Sequence, residues 1–150
     1  MYPYYNNYNG NERQTEKLIS DVEKAINGEY SAIQCYAHIA KLALTEKERK
    51  QILEIRKDEK RHFQQFVQLY QSLTGKQPQP KINEGCPNTY VKGLDFALQD
   101  EQNTVDFYHE VADETSNQFI KEVFRRAAAD EQNHAVWFLY FLFKQGKHRE

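Results

Sequence analysis

A set of residues that recurs at one offset constrains this chain more than any other feature. Glu29, Tyr36, Glu59 and His62 return as Glu101, Tyr108, Glu131 and His134, each displaced by 72 positions, and Asp58 returns as Asp130. Matching these residue types by chance has odds on the order of 1 in 1,000, even after allowance for many trial offsets. The chain therefore reads as one helical hairpin written twice.

The apolar periodicity agrees. Leu18, Val22, Ala25, Glu29, Ala32, Tyr36, Ala40 and Ala43 recur at spacings of three and four and trace one helical face from about Glu12. Thr45 and Glu48 make a capping box, followed by a face of Ile52, Ile55, Glu59, His62, Phe66, Leu69 and Leu73, with Gly75 as its stop. A third face carries Leu94, Ala97, Glu101, Thr104, Tyr108 and Val111, and a fourth Ile120, Phe124, Ala127, Glu131, His134, Phe138 and Phe141. Between the second and third lies GKQPQPKINEGCPN, 75–88, whose three prolines and two glycines forbid helix. Short turns make helices one and two, and three and four, antiparallel pairs. Fourteen extended residues reach about 46 Å, the length of such a helix, so the linker is expected to cross the whole bundle. The predicted fold is all-α: an up-down four-helix bundle over residues 12–150, with a long crossover between helices two and three. The Tyr- and Asn-rich leader, residues 1–11, is expected to be disordered or loosely attached, either as a plain leader or as an attachment or cross-linking tail.

Glutamate thus sits in the middle of all four apolar faces. Buried carboxylates are costly unless paired or bound to metal. Glu59 and His62 are three residues apart and share a face, as do Glu131 and His134, while Glu29 and Glu101 come from the other two helices. Four carboxylates so close cannot all stay ionised without cations. Two divalent ions would offset them, and this donor pattern is that of di-iron and di-manganese carboxylate bundles.

Through GEYSAIQCY (28–36), DEKRHF (58–63), DEQNTVDFY (100–108) and DEQNHAVWF (130–138), the sequence resembles the ferritin-like superfamily. It is most similar to rubrerythrin-type di-iron domains, over about residues 13 to 145. The resemblance implies two iron ions, or alternatively manganese. Glu59 and Glu131 would bridge the metals, Glu29 and Glu101 would be terminal ligands, and His62 and His134 would each bind one metal. It places Tyr36 and Tyr108 one or two turns behind the ligands, as satisfied core aromatics or as redox or proton-relay groups. Asp58 and Asp130 would accept the distal N–H of the opposite helix's histidine.

The implied activity is an oxidoreductase acting on H2O2 or O2, a peroxidase or ferroxidase in oxidative-stress defence or iron handling. A di-manganese catalase-like centre and a metal-stabilised structural or spore-coat protein are the alternatives. Three departures narrow this. Thr104 and Ala97 stand where rubrerythrins carry a further carboxylate. No four-cysteine module is present, so an electron donor is expected to be a separate protein. The short fifth helix of cage ferritins is missing, so a storage shell is not expected.

The remaining signals are weaker. The net charge of −2, with both signs interspersed, favours neither nucleic acid nor membrane as partner, and no apolar run reaches membrane-spanning length. Cys35 and Cys86 read as two separate thiols, one buried and one in a loop, in a cytoplasmic protein or alternatively a spore-coat one. His38 and His109 read as surface histidines, and His148 lies in a polar tail. The run Val136 to Phe143 is apolar around the whole helix, with Trp137, Tyr140 and Phe143 pointing away from Glu131, and a homodimer is the expected cover.

Overall fold

The computed structural model describes the backbone of residues 3–147 and the side chains of residues 13–146. Four helices make up the fold, α1 Pro3–Leu42, α2 Glu46–Thr74, α3 Tyr90–Glu114 and α4 Gln118–Lys147, with no strand among the described residues. The hairpins α1–α2 and α3–α4 meet through α1 against α3 and α2 against α4. Residues near the start of α1 and the end of α2 (Leu18 and Leu73) share one end of the bundle with Val111 and Ile120, from the end of α3 and the start of α4. The helices therefore run up, down, down, up, and the linker must climb the length of the molecule.

Local chemistry sets the element ends. The Thr45 hydroxyl caps α2 by accepting from the Glu48 N–H at 3.1 Å. The reciprocal half of the expected box is redirected. Glu48 is buried; it takes the Thr45 O–H at 2.8 Å on Oε2 and the Tyr90 O–H and Gln145 Nε2–H, each at 3.0 Å, on Oε1. Gly75 ends α2 in the left-handed region, φ 70°, and its N–H reaches Gln71 O. On α3, Gly93 lets the helix approach α1: a Cβ there would lie 3.0 Å from Ile39 Cγ1.

Helix α1 starts at Pro3, well before Glu12, so the expected leader continues the helical path. A proline is tolerated in the first turn, and one internal glycine costs only about 1 kcal/mol, too little to interrupt a growing helix. Met1, Tyr2, the leader's side chains and His148 lie outside the described residues.

The core splits into two clusters. Tyr36, Ile39, Ile52, Ile55, Leu94 and Phe138 anchor one; Val22, Ile26, Phe66, Tyr108, Val111 and Phe124 anchor the other. The carboxylate layer lies between them. On α4, Val136, Leu139, Tyr140 and Phe143 are exposed, Tyr140 and Phe143 as the sequence led one to expect. Trp137 is not: it packs against the first cluster, its ring 5.8 Å from that of Phe141. His109 is exposed, but His38 is half-buried rather than on the surface. Among the described residues, no helix is long and apolar enough to cross a membrane.

The cysteines are corrected as well. Cys35 and Cys86 are not separate thiols but form a disulfide, with Cα atoms 5.3 Å apart across a sequence separation of 51. The linker climbs along α1 itself, which delivers Cys86 to Cys35. The Lys81 N–H donates to Asn27 Oδ1 and the Asn83 N–H to Ser31 Oγ, both at 2.9 Å.

Candidate metal centre

Each helix delivers its donors at mid-length, so the two hairpins bring all six predicted ligands together. Two groups of donor atoms each lie within 4.8 Å of one another: Glu29, Glu59, His62 and Glu131, and Glu59, Glu101, Glu131 and His134. Glu59 and Glu131 belong to both groups, and the 72-residue shift exchanges one group for the other. All six side chains are at most 2% exposed.

The histidines repeat the symmetry atom by atom. His62 Nδ1 lies 3.0 Å from Glu131, 3.5 Å from Glu29 and 3.6 Å from Glu59. His134 Nδ1 lies 3.1 Å from Glu59, 3.6 Å from Glu101 and 3.7 Å from Glu131. Each Nε2 turns outward to an aspartate of the other hairpin, His62 to Asp130 at 2.9 Å and His134 to Asp58 at 2.8 Å. A carboxylate can only accept, so Nε2 carries a proton and each Nδ1 is left to face three of the four glutamates. The cross-hairpin pairing expected of Asp58 and Asp130 is therefore present.

The tyrosines cross over in the same way. Tyr36 donates its hydroxyl to Glu101 Oε1 at 2.6 Å, and Tyr108 donates to Glu29 Oε1. Burial and then the nearby carboxylate charges hold both phenols well above their ordinary range, so they stay neutral donors. Each fixes one oxygen of a glutamate whose other oxygen is free to turn inward.

The electrostatics record the crowding. Burial first, then the charges of Glu101 and Glu29, push the Glu59 carboxyl well above the usual range; burial and the charges of Glu101, Glu59 and Glu29 do the same to Glu131. Burial alone would lower the histidines. The hydrogen bonds and negative charges around them win, and raise His62 to about 10 and His134 to about 11. Asp130 moves the other way. Its burial is outweighed by the His62 hydrogen bond and by the charges of His62 and Arg126, which bring it to about 2.

Whether the residues fit a metal pair is decided by their unsatisfied atoms. Among the described residues, seven buried side-chain N or O atoms lack a hydrogen-bond partner. One is His38 Nε2. The other six are Glu29 Oε2, Glu59 Oε1, His62 Nδ1, Glu101 Oε2, Glu131 Oε1 and His134 Nδ1, one from each predicted ligand. Buried polar atoms are almost always paired, and six unpartnered atoms converging in one layer are best satisfied by cations that displace the protons held there. The set fits two divalent ions.

Several residues of the site were not legible in the sequence. Arg61 bonds Asp58 Oδ1 and Asp130 Oδ2, each at 3.1 Å, and so ties the two histidine-bound aspartates together. Its counterpart 72 positions on is Asn133, so the repeat gives no sign of it. Thr104, singled out in the sequence, donates its hydroxyl to the Asp100 carbonyl at 2.7 Å, a contact the sequence did not show. Asp100 lines a cavity of about 240 Å³ between α1 and α3, together with Tyr36, Tyr108 and the linker residues Asn83 and Glu84. Burial, followed by the charges of Glu101, Glu84 and Glu29, brings Asp100 to about 7. A larger hollow, about 630 Å³, opens at the bundle end near Lys17 and Glu114; none of the six ligands lines either space, but the smaller one is lined by Tyr36 and Tyr108, which bond Glu101 and Glu29.

Known proteins resemble the chain in sequence and in fold. The sequence profile of the rubrerythrin family matches residues 21–135 and 92–150. The uncharacterized protein YhjR of Bacillus subtilis (strain 168) is 56% identical over 144 residues, covering 96% of this chain and 97% of that one. Among solved structures, the bacterioferritin of Desulfovibrio desulfuricans, described with its diiron site in different catalytic states, superposes with a TM-score of 0.77 at 19% identity, covering 87% of this chain and 81% of the other. A ferritin-like, diiron-carboxylate protein of Bacillus anthracis str. Ames gives 0.75 at 22% identity, covering 86% and 97%. At those identities the likeness establishes the fold alone.

Proposed function

Because the chain belongs to the rubrerythrin family, we propose that it is a dinuclear non-haem iron protein and an oxidoreductase acting on peroxide or O2. The observation that carries the reading is the convergence of six buried, unpartnered donor atoms, one from each of Glu29, Glu59, His62, Glu101, Glu131 and His134. Glu59 and Glu131, common to both donor groups, would hold the ions together with Glu29 and His62 in one group and Glu101 and His134 in the other. Carboxylate oxygens with few imidazoles suit iron and manganese better than copper or zinc.

When bound, the metal pair supplies a two-electron change spread over two ions. The chain's own residues prepare the place for it. Asp58 and Asp130 hold each imidazole in the tautomer that presents Nδ1, and Arg61 braces both aspartates. Tyr36 and Tyr108 keep Glu101 and Glu29 oriented while their hydroxyl protons stay on oxygen. The two apolar clusters exclude water from either side of the carboxylate layer. Substrate enters through the cavity between α1 and α3, which Tyr36, Tyr108 and Asp100 line.

The test is turnover. Protein loaded with ferrous iron is mixed with H2O2 or O2, and oxidant consumption and iron oxidation are followed together. Consumption that is lost in Glu59→Ala with Glu131→Ala supports the oxidoreductase. Metal retained without turnover of either oxidant would overturn it and leave the ions a structural role.

A further inference from the structure

The crossover linker is fastened to α1 along a single stripe. Asn27, Ser31 and Cys35 are four residues apart and so lie one above another on the helix. They hold, in order, the Lys81 N–H, the Asn83 N–H and Cys86. Two of these fastenings are single hydrogen bonds at exposed positions, and the third is covalent. The same stretch of linker forms a wall of the cavity beside the carboxylate centre, where Asn83 and Glu84 face Asp100, Tyr36 and Tyr108. Cys35 lines that cavity too, one residue before the tyrosine that holds Glu101.

The two sulfurs differ in access. Cys35 is 6% exposed, within the apolar cluster, whereas Cys86 is half-buried on the linker. An outside thiolate meets Cys86 and displaces Cys35. We propose that Cys35–Cys86 is a thiol–disulfide exchange site for a dithiol reductant, and that its redox state sets whether the linker stays closed over the cavity. In the first step the reductant's thiolate bonds to Cys86 Sγ. The Cys35–Cys86 bond breaks, and its electron pair leaves on Cys35 Sγ, which takes up a proton. In the second, the reductant's other thiol attacks the mixed disulfide and releases Cys86 as a thiol. The reductant leaves as a disulfide, two electrons and two protons having passed to the protein. With the bond gone, residues 81–86 are held against α1 by the two exposed hydrogen bonds and by the weak contact of Cys86 Sγ with the Cys35 carbonyl at 3.5 Å.

That this cavity serves the metal centre rests on the function proposed above, whereas the exchange site and the linker's release do not. The experiment therefore reads the linker directly. Full-length oxidised protein is incubated with dithiothreitol under native conditions. Free thiols are counted by alkylation and mass spectrometry, helicity is followed by circular dichroism, and amide hydrogen exchange is measured for residues 81–88. The proposal expects both thiols to appear together with helicity unchanged. Exchange in the linker should rise at least tenfold, and Cys86→Ser should reproduce that rise without reductant. A disulfide that yields only after the helices unfold would overturn the exchange site. Reduction with no change in linker exchange, or with faster exchange throughout the bundle, would overturn the latch. A second readout is the rate at which a chelator strips iron from loaded protein. It should rise severalfold on reduction; an equal rate in both redox states would overturn closure of the cavity. A chain that binds no metal would fail the proposed function but leave the thiol and exchange results intact.

Discussion

At each histidine, one nitrogen is held by the opposite hairpin so that the other can face the centre. Removing the holder should therefore loosen the metal without removing a ligand. Asp130→Ala and Asp58→Ala are each expected to weaken iron binding by about 10- to 100-fold, measured by competition with a chelator, while the fold stays helical. Proton binding gives a second expectation. In the metal-free chain, Glu59 and Glu131 hold protons above the ordinary carboxyl value of 4.5, and His62 and His134 hold theirs up to about 10 and 11, above 6.5. The folded state then binds more protons than the unfolded one, so stability falls as pH rises, from the carboxyl range through the histidine range. Metal binding expels those protons and so gains with pH. The gap in Tm between loaded and metal-free protein should widen from about pH 5.5 to about pH 7.5, read by scanning calorimetry. The donors could be read from the sequence because each sits on an apolar face and recurs at one offset. Arg61 and Asp100 could not: neither has a counterpart of its type in the other half's motif that would set it apart, and what they touch is fixed only by how the hairpins dock.

Among the elements, the linker departs furthest from a passive connection. Its ends were legible, since Gly75 and the prolines stop helix by backbone geometry alone. Its path was not, because nothing local says which helix an extended segment will climb. That is why Cys35 and Cys86, 51 residues apart, read as unrelated thiols. The disulfide closes a loop made of the last turns of α1, all of α2 and the linker, and such a closure is worth up to roughly 4 kcal/mol through the entropy of the unfolded chain. Cys86→Ser should lower unfolding stability by about 2 to 4 kcal/mol in urea titration, and reductant should then have no further effect. The start of α1 was illegible for a different reason. Tyrosine and asparagine are weak helix formers, but weak propensity does not end a helix that thirty further residues already support.

For the molecule as a whole, duplication explains the shape of the centre. Two copies of one hairpin, related by a 72-residue shift, each contribute Glu, Tyr, Asp, Glu and His, and docking them produces two donor groups of identical composition. The apolar clusters above and below are not copies at every position: Ile52 answers to Phe124, and Ile55 to Ala127. The symmetry is kept at the carboxylate layer and relaxed away from it, as a metal pair would require and core packing would not. The direct test is the metal content of protein purified from cells grown with iron and manganese, measured by elemental mass spectrometry beside Glu59→Ala with Glu131→Ala. About two ions per chain, mostly iron and lost in the double variant, is the predicted result, by the count of donor groups. No metal retained by the unaltered chain after reconstitution would contradict the account.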